Sequence, residues 1–151
     1  MRTIEMGNPV YEYTVNITDI QEYGVSFEEL MTGKIQLSSE GARFDVHFSG
    51  KASGPKLSGT VTGVDYLHIR ADGRFQLDMH AEIITQDGSK TSLKADGIAI
   101  PRKDSSISDL RENVTLFTSS KDFTWVNTIR VWGVGTVDLA TKAIYIAGYS
   151  V

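Results

Sequence analysis

The sequence predicts an all-β fold, a single antiparallel meander barrel with one or two short helical turns, and three observations point there. Apolar residues recur with a period of two through most of the chain. Two Asp-Gly pairs stand where hairpin turns are needed, and helix signals are sparse. About eight to eleven short strands in a chain of 151 residues mean a barrel or a sandwich, and successive hairpins favour the barrel.

The strands follow in order. Phe44, Val46 and Phe48 alternate with Arg43, Asp45 and His47, and Leu67 and Ile69 alternate with Tyr66, His68 and Arg70. Phe75, Leu77, Met79, Ala81 and Ile83 then oppose Gln76, Asp78, His80 and Glu82, while Leu93, Ala95 and Gly97 oppose Ser92, Lys94 and Asp96. Ile129 and Val131 begin a further strand, which the closing segment from Ile144 to Val151 can pair with.

Ala71-Asp72-Gly73 and Gln86-Asp87-Gly88 suit three-residue loops that end in a left-handed glycine. Such loops pair Arg70 with Arg74 and Thr85 with Ser89. Leu67 then faces Leu77, Ile69 faces Phe75, Ala81 faces Leu93 and His80 faces Lys94, apolar meeting apolar and polar meeting polar. A two-residue loop would set His68 against Leu77 and turn a whole strand over.

Helix is expected at two places only. Ser26 followed by Glu29 forms a capping box that opens a short turn through Leu30 and Met31, closed by Gly33. Ser106 to Glu112, with Asp109 three residues after Ser106, reads as a second single turn. The Ser- and Gly-rich stretches are short, the period never shifts for long, and residues 1–151 are read as one domain.

Composition narrows the function classes. An apolar fraction of 40% with 23% charged residues is that of a globular protein. The absence of cysteine excludes a disulfide framework, a thiol nucleophile and thiolate metal sites, and fits a reducing compartment. Met1 to Tyr13 lack the apolar core of a secretory signal, and no segment approaches the roughly 20 apolar residues that span a bilayer, so a cytoplasmic protein without a membrane partner is expected. Asn16-Ile17-Thr18 and Asn113-Val114-Thr115 match the glycosylation triplet, with no consequence in the absence of export. A net charge of -4 with scattered Lys and Arg argues against nucleic acid. Gly50-Lys51 is followed by Ala52, not Ser or Thr, and is no phosphate loop; Gly133-Val134-Gly135 reads as a strand bend.

The run Gly54-Pro55-Lys56-Leu57-Ser58-Gly59, then Gly63, Asp65-Tyr66-Leu67, Ile69-Arg70 and Asp72-Gly73, resembles the domain-of-unknown-function 3237 family. Leu77-Asp78 stands where that family shows Leu-Asp-x-Arg, and Phe117-Thr118 with Trp125-Val126-Asn127 is similar to its Phe-x-Thr and Trp-Leu-Asn segments. The resemblance runs from Gly41 to Val151. His80 replaces the family's Arg, Tyr66 its Trp, and Val126 its Leu. The resemblance implies a closed meander barrel, allene oxide cyclase-like or calycin-like, without one settled activity. It nominates Trp125 and Asn127 as ligand contacts; a structural Trp, and a buried backbone group as partner of the Asn127 amide, are the alternatives.

The derived register gathers Tyr66, His68, Asp78, His80, Glu82, Lys94 and Asp96 on one polar face. Directly opposed residues there lie about 4.5–5.5 Å apart at their β-carbons. Two carboxylates, Asp78 and Asp96, beside an imidazole have the elements of acid-base catalysis, with Asp78, His80 and Glu82 as catalytic candidates and Tyr66, Lys94 and Asp96 as ligand contacts. The alternative is that this face meets solvent while Phe75, Leu77 and Met79 fill the barrel. Lys94 opposite His80 would repel a cation, so no metal is expected, and no cofactor. His47, between charged neighbours, reads as a surface residue. Three functions stay open: a barrel binding a small apolar or aromatic metabolite, a cofactor-free isomerase, cyclase or lyase, and a structural barrel or homo-oligomer building block without a small-molecule site.

Overall fold

A computed structural model describes residues 1–3 and 5–151. Eight antiparallel strands succeed one another around a closed barrel: β1 (Pro9–Glu22), β2 (Ala42–Ser53), β3 (Gly59–Ile69), β4 (Phe75–Ile84), β5 (Lys90–Pro101), β6 (Ile107–Phe117), β7 (Val131–Asp138) and β8 (Ala143–Ser150). Each strand pairs with its sequence neighbours, and β8 returns to β1, so the sheet has no free edge. The expected meander barrel is the architecture found. Among the described residues no helix is long and apolar enough to cross a membrane.

Both Asp-Gly hairpins form as the turn chemistry requires. The Arg70 N–H donates to the Arg74 carbonyl at 2.9 Å and the Gly73 N–H to the Arg70 carbonyl at 2.8 Å, with Gly73 at φ +87°. Thr85, Ser89 and Gly88 repeat the arrangement, Gly88 at φ +86°. Asp72 and Asp87 accept the N–H two residues on, from Arg74 and Ser89, which rigidifies each loop. Ile69 therefore faces Phe75, Ala81 faces Leu93, His80 faces Lys94 and Asp78 faces Asp96.

A short helix, α1 (Phe27–Met31), lies between β1 and β2, its Glu29 N–H donating to Ser26 Oγ at 3.2 Å, and Gly33 follows it at φ +77°. The second expected turn does not exist. Ser106 precedes β6, its hydroxyl donating to Asp138 at 2.7 Å instead of capping a helix, and Ile107–Phe117 pairs on both sides with β5 and β7. Two complete ladders satisfy more backbone groups than one helical turn could. The segment holding Trp125 and Asn127 is a 3-10 helix, Lys121–Thr128, and the strand expected from Ile129 starts only at Val131, as β7.

The apolar face points inward. Phe44, Val46, Phe48, Leu67, Ile69, Leu77, Met79 and Leu93 are all buried. Leu57, Val61, Ile83, Leu93, Leu116 and Val126, each at most 2% exposed, fill one end of the barrel. The other end opens beside α1, where Phe27 packs edge-on against Phe44 with ring centroids 5.0 Å apart.

Candidate active site in the lumen

The register brings the expected polar cluster together, but on the outer wall. Asp78 and His80 have side chains 64% and 50% exposed, with His80 Nε2 3.6 Å from Asp78 Oδ1. The Tyr66 ring meets the His80 ring edge-on at 5.6 Å. Asp96 accepts from the Asn113 amide at 2.9 Å, and on the same face Lys94 is exposed and Glu82 half-buried. With Leu77 and Met79 turned into the barrel, the intervening side chains Asp78 and His80 must point away from it. They cannot reach a molecule in the lumen, which corrects their reading as its acid-base pair. Trp125 is half-buried against the core. The Asn127 amide is spent on the backbone: its Oδ1 accepts the Thr118 N–H at 2.9 Å and its Nδ2 donates to the Thr118 carbonyl at 2.8 Å.

Two other carboxyls point inward. Asp65, on β3, follows the same alternation as Leu67 and Ile69. Pairing of β3 with β4 runs from Thr60–Ile84 to Asp65–Met79 and resumes at His68–Gln76. Within that gap the Asp78 N–H donates to Asp65 Oδ1 at 3.0 Å, so a side chain takes a donor that the ladder leaves free. Burial raises the Asp65 carboxyl to about 7, against the stabilising Asp78 N–H; the Asp78 charge adds to the rise and Arg43 opposes it.

Glu112, on β6, is 4% exposed, and neither of its carboxyl oxygens has a hydrogen-bond partner in the protein. Burial, and then the charge of Asp65, raise it to about 8. Its position is made by missing side chains. Glu112 pairs with Gly97 on β5 and Gly133 on β7, Gly133 pairs with Gly148 on β8, and Gly148 pairs with Tyr11 on β1. A Cβ at Gly133 would lie 3.0 Å from Glu112 Oε2, and one at Gly148 would lie 2.6 Å from Tyr11 Cζ. The glycines are thus a floor over which the carboxyl and the phenol lie from opposite ends. Tyr11 is fully buried with its hydroxyl unpartnered, and its ring stacks on Tyr13 at 5.6 Å. Burial, then the Glu112 charge, push both phenols well up.

Asp65, Glu112 and Tyr13 border a cavity of about 60 Å³, lined otherwise by Ser108 and by apolar side chains such as Val15, Phe48, Leu67 and Leu77. Above it lies a mouth of about 860 Å³, with Leu30, Met31 and Leu37 on its rim. Ile17, Phe27, Phe75, Ser108 and Leu139 border both spaces. The inner cavity holds a few waters or the end of a ligand, and the mouth is of the size that takes a ligand's body.

Asp65 and Glu112 were missed by the reading of strand patterns, although their phase was visible. Counting back by twos from Ile69 and Leu67 reaches Asp65, and counting from Leu116 and Val114 to Leu110 passes through Glu112. A charged residue on an apolar phase is the signal. Reading Ser106 to Glu112 as a helical turn hid it.

The barrel is shared with proteins of distant sequence. A beta-barrel like protein from Acinetobacter baumannii AYE is similar with a TM-score of 0.76 at 19% identity, over 99% of this chain and 97% of that one. A structure of an enzyme from Penicillium herquei is similar with a TM-score of 0.58 at 19% identity, over 98% and 99% of the two chains. In sequence, 85 residues are 35% identical to the hydroalkoxylation enzyme phnH of Penicillium herquei, 56% of this chain and 50% of that protein. The match thus spans half the length of that curated relative. The likeness expected from Gly41 onward reaches back almost to the start: residues 8–151 match the proteins of unknown function DUF3237, and the chain belongs to that family.

Proposed function

We propose that the barrel takes an apolar small molecule into its lumen and transfers protons on it without a cofactor, with Glu112 as acid and Asp65 as base. The observation that carries this reading is the pair of inward carboxyls in an apolar cavity with no basic side chain among its described lining residues. Glu112 has nothing to stabilise its anion, so it keeps a proton to give up to about pH 8. Asp65 has the Asp78 N–H to support its anion and ionises first, near 7. Two carboxyls separated in this way by their surroundings supply an acid and a base at neutral pH.

Addition of a hydroxyl across a carbon–carbon double bond suits that order. Glu112 gives its proton to one alkene carbon as the π bond breaks, the hydroxyl oxygen bonds to the other carbon, and Asp65 takes the hydroxyl proton. Every proton is accounted for, and exchange between the two carboxyls resets the site. The relative named as a hydroalkoxylation enzyme supports this reaction class.

The test is a panel of unsaturated apolar alcohols, with cyclic ether product followed by chromatography. Glu112→Gln and Asp65→Asn should each lower turnover by roughly 100- to 10,000-fold, the usual contribution of a positioned proton donor or acceptor. Turnover in the wild type should be greatest between about pH 7 and about pH 8, rising as Asp65 ionises and falling as Glu112 loses its proton. Undiminished turnover in Glu112→Gln would overturn the assignment. Saturable binding without turnover of any alcohol would make the barrel a carrier.

A further inference from the structure

The lumen holds acids without bases. Among the described residues that line it the ionisable groups are Asp65, Glu112 and the phenol of Tyr13, with the buried phenol of Tyr11 close enough to feel the Glu112 charge, and all of these become anions or stay neutral. At the mouth, Lys142 is the one basic residue among the described lining, with Glu22 and Glu28 around the same opening. Outside the wall, Arg43 and Asp78 act on Asp65 with opposite signs. The unpartnered groups nearest the floor, the Glu112 carboxyl and the Tyr11 hydroxyl, are 4% and 0% exposed. Glu112 lines the cavity, and a ligand there can provide the partner its carboxyl lacks.

We infer that Glu112 and Asp65 act as a charge filter that fixes the ligand class: uncharged apolar molecules bearing a hydroxyl enter, and their anionic counterparts are turned away. This rests on the lumen being a ligand site, as proposed above. The hydroxyl of such a ligand exchanges hydrogen bonds with the unpartnered Glu112 carboxyl over the Gly133 floor. Once Glu112 and Asp65 have lost their protons, a ligand carboxylate or phosphate in the same place meets like charge, with no cation among the described lining residues to offset it. Two like charges about 6 Å apart, at the effective dielectric of a protein site, repel enough to cost roughly a hundredfold in affinity.

Binding of matched pairs tests this by calorimetry: 2-naphthalenemethanol against 2-naphthoate, and 1-decanol against decanoate, on the full chain. At pH 8.5 each alcohol should bind saturably and at least about tenfold more tightly than its carboxylate, and the ratio should shrink toward pH 6, where both lumen carboxyls hold protons. The double variant Glu112→Gln with Asp65→Asn should bring the ratio within about threefold of unity and remove its pH dependence. Glu112→Gln alone, the milder change, should reduce the ratio in the same direction. Equal binding of alcohol and carboxylate by the wild type at pH 8.5 overturns the filter while leaving the lumen a ligand site. If neither member of either pair binds, the filter and the ligand-site reading fall together.

Discussion

Asp65 and Asp78 lie on adjacent strands and are joined by a hydrogen bond, yet they face opposite sides of one wall. Asp78 projects into water with its side chain 64% exposed, opposite Asp96 and near His80. Asp65 projects into an apolar cavity, within the field of Glu112. Judged by neighbours alone, the outer group is the better active site, with two carboxylates, an imidazole and an ammonium in register. Water and salt screen that cluster, whereas the inner pair stands in an apolar cavity, with Glu112 buried and Asp65 part-buried. What shifts these carboxyls is the side of the sheet on which they stand, more than the number of charges beside them.

The largest difference should appear in turnover of the alcohols above. Replacing inner Glu112 by Gln should cost on the order of a thousandfold. His80→Ala on the outer wall should leave turnover within about twofold. A loss of comparable size in His80→Ala would break the contrast between the two faces and return the chemistry to the outer wall.

The next difference is in stability against pH. Glu112 sits at about 8 in the fold against a free value of 4.5, so between those values the folded state binds more protons than the unfolded one. Stability therefore falls as pH rises through that window, by an amount on the order of 5 kcal/mol for a shift of this size. Asp65, raised to about 7, adds a loss of the same sign. Glu112→Leu should remove much of the slope and raise the melting temperature above pH 8, since an apolar side chain there leaves no buried charge unpaired. Melting curves from pH 5 to pH 9 measure this, and a wild-type melting temperature that stays level or rises across that range would show that the inner carboxyls are not held as described.

A third difference separates a polar side chain with its bonds made from one without. Asn127 uses both ends of its amide on Thr118, holding the 3-10 helix against the end of β6. Asn127→Ala should cost about 1–3 kcal/mol. It should leave affinity for 2-naphthalenemethanol within about twofold. A large loss of affinity with unchanged melting would reverse the roles and make the amide a ligand contact.

How much of this was legible in the sequence follows from what a period of two contains. Alternation and two Asp-Gly turns carry the register, and Asp78 opposite Asp96 or His80 opposite Lys94 could be placed to the residue. Alternation alone does not say which face a barrel encloses, because that depends on the closure of β8 onto β1 and on what fills the interior. Isolated acidic residues on an apolar phase, Asp65 and Glu112, are lost when patterns are read by their majority. The three glycines of the floor, Gly97 on β5, Gly133 on β7 and Gly148 on β8, become one feature with Glu112 on β6 only when the pairing sets them in one row.

The smallest effect tests whether the two faces communicate at all. The Asp78 carboxylate raises the Asp65 carboxyl through the wall, and Arg43 lowers it. Asp78→Asn keeps the backbone N–H that Asp65 accepts and removes only the charge, so the acid limb of the turnover profile should move down by about 0.2–0.5 in pH. Arg43→Gln should move the same limb up by a similar amount. Because Arg43 also pairs with Asp45 at 3.2 Å on the outer wall, a merely structural role would show as lower stability without a displaced limb. Opposite displacements in the two variants, with turnover at the optimum little changed, are what a base in the lumen tuned by charges outside it requires. Displacement in the same direction, or none in either, would mean that the base is not Asp65.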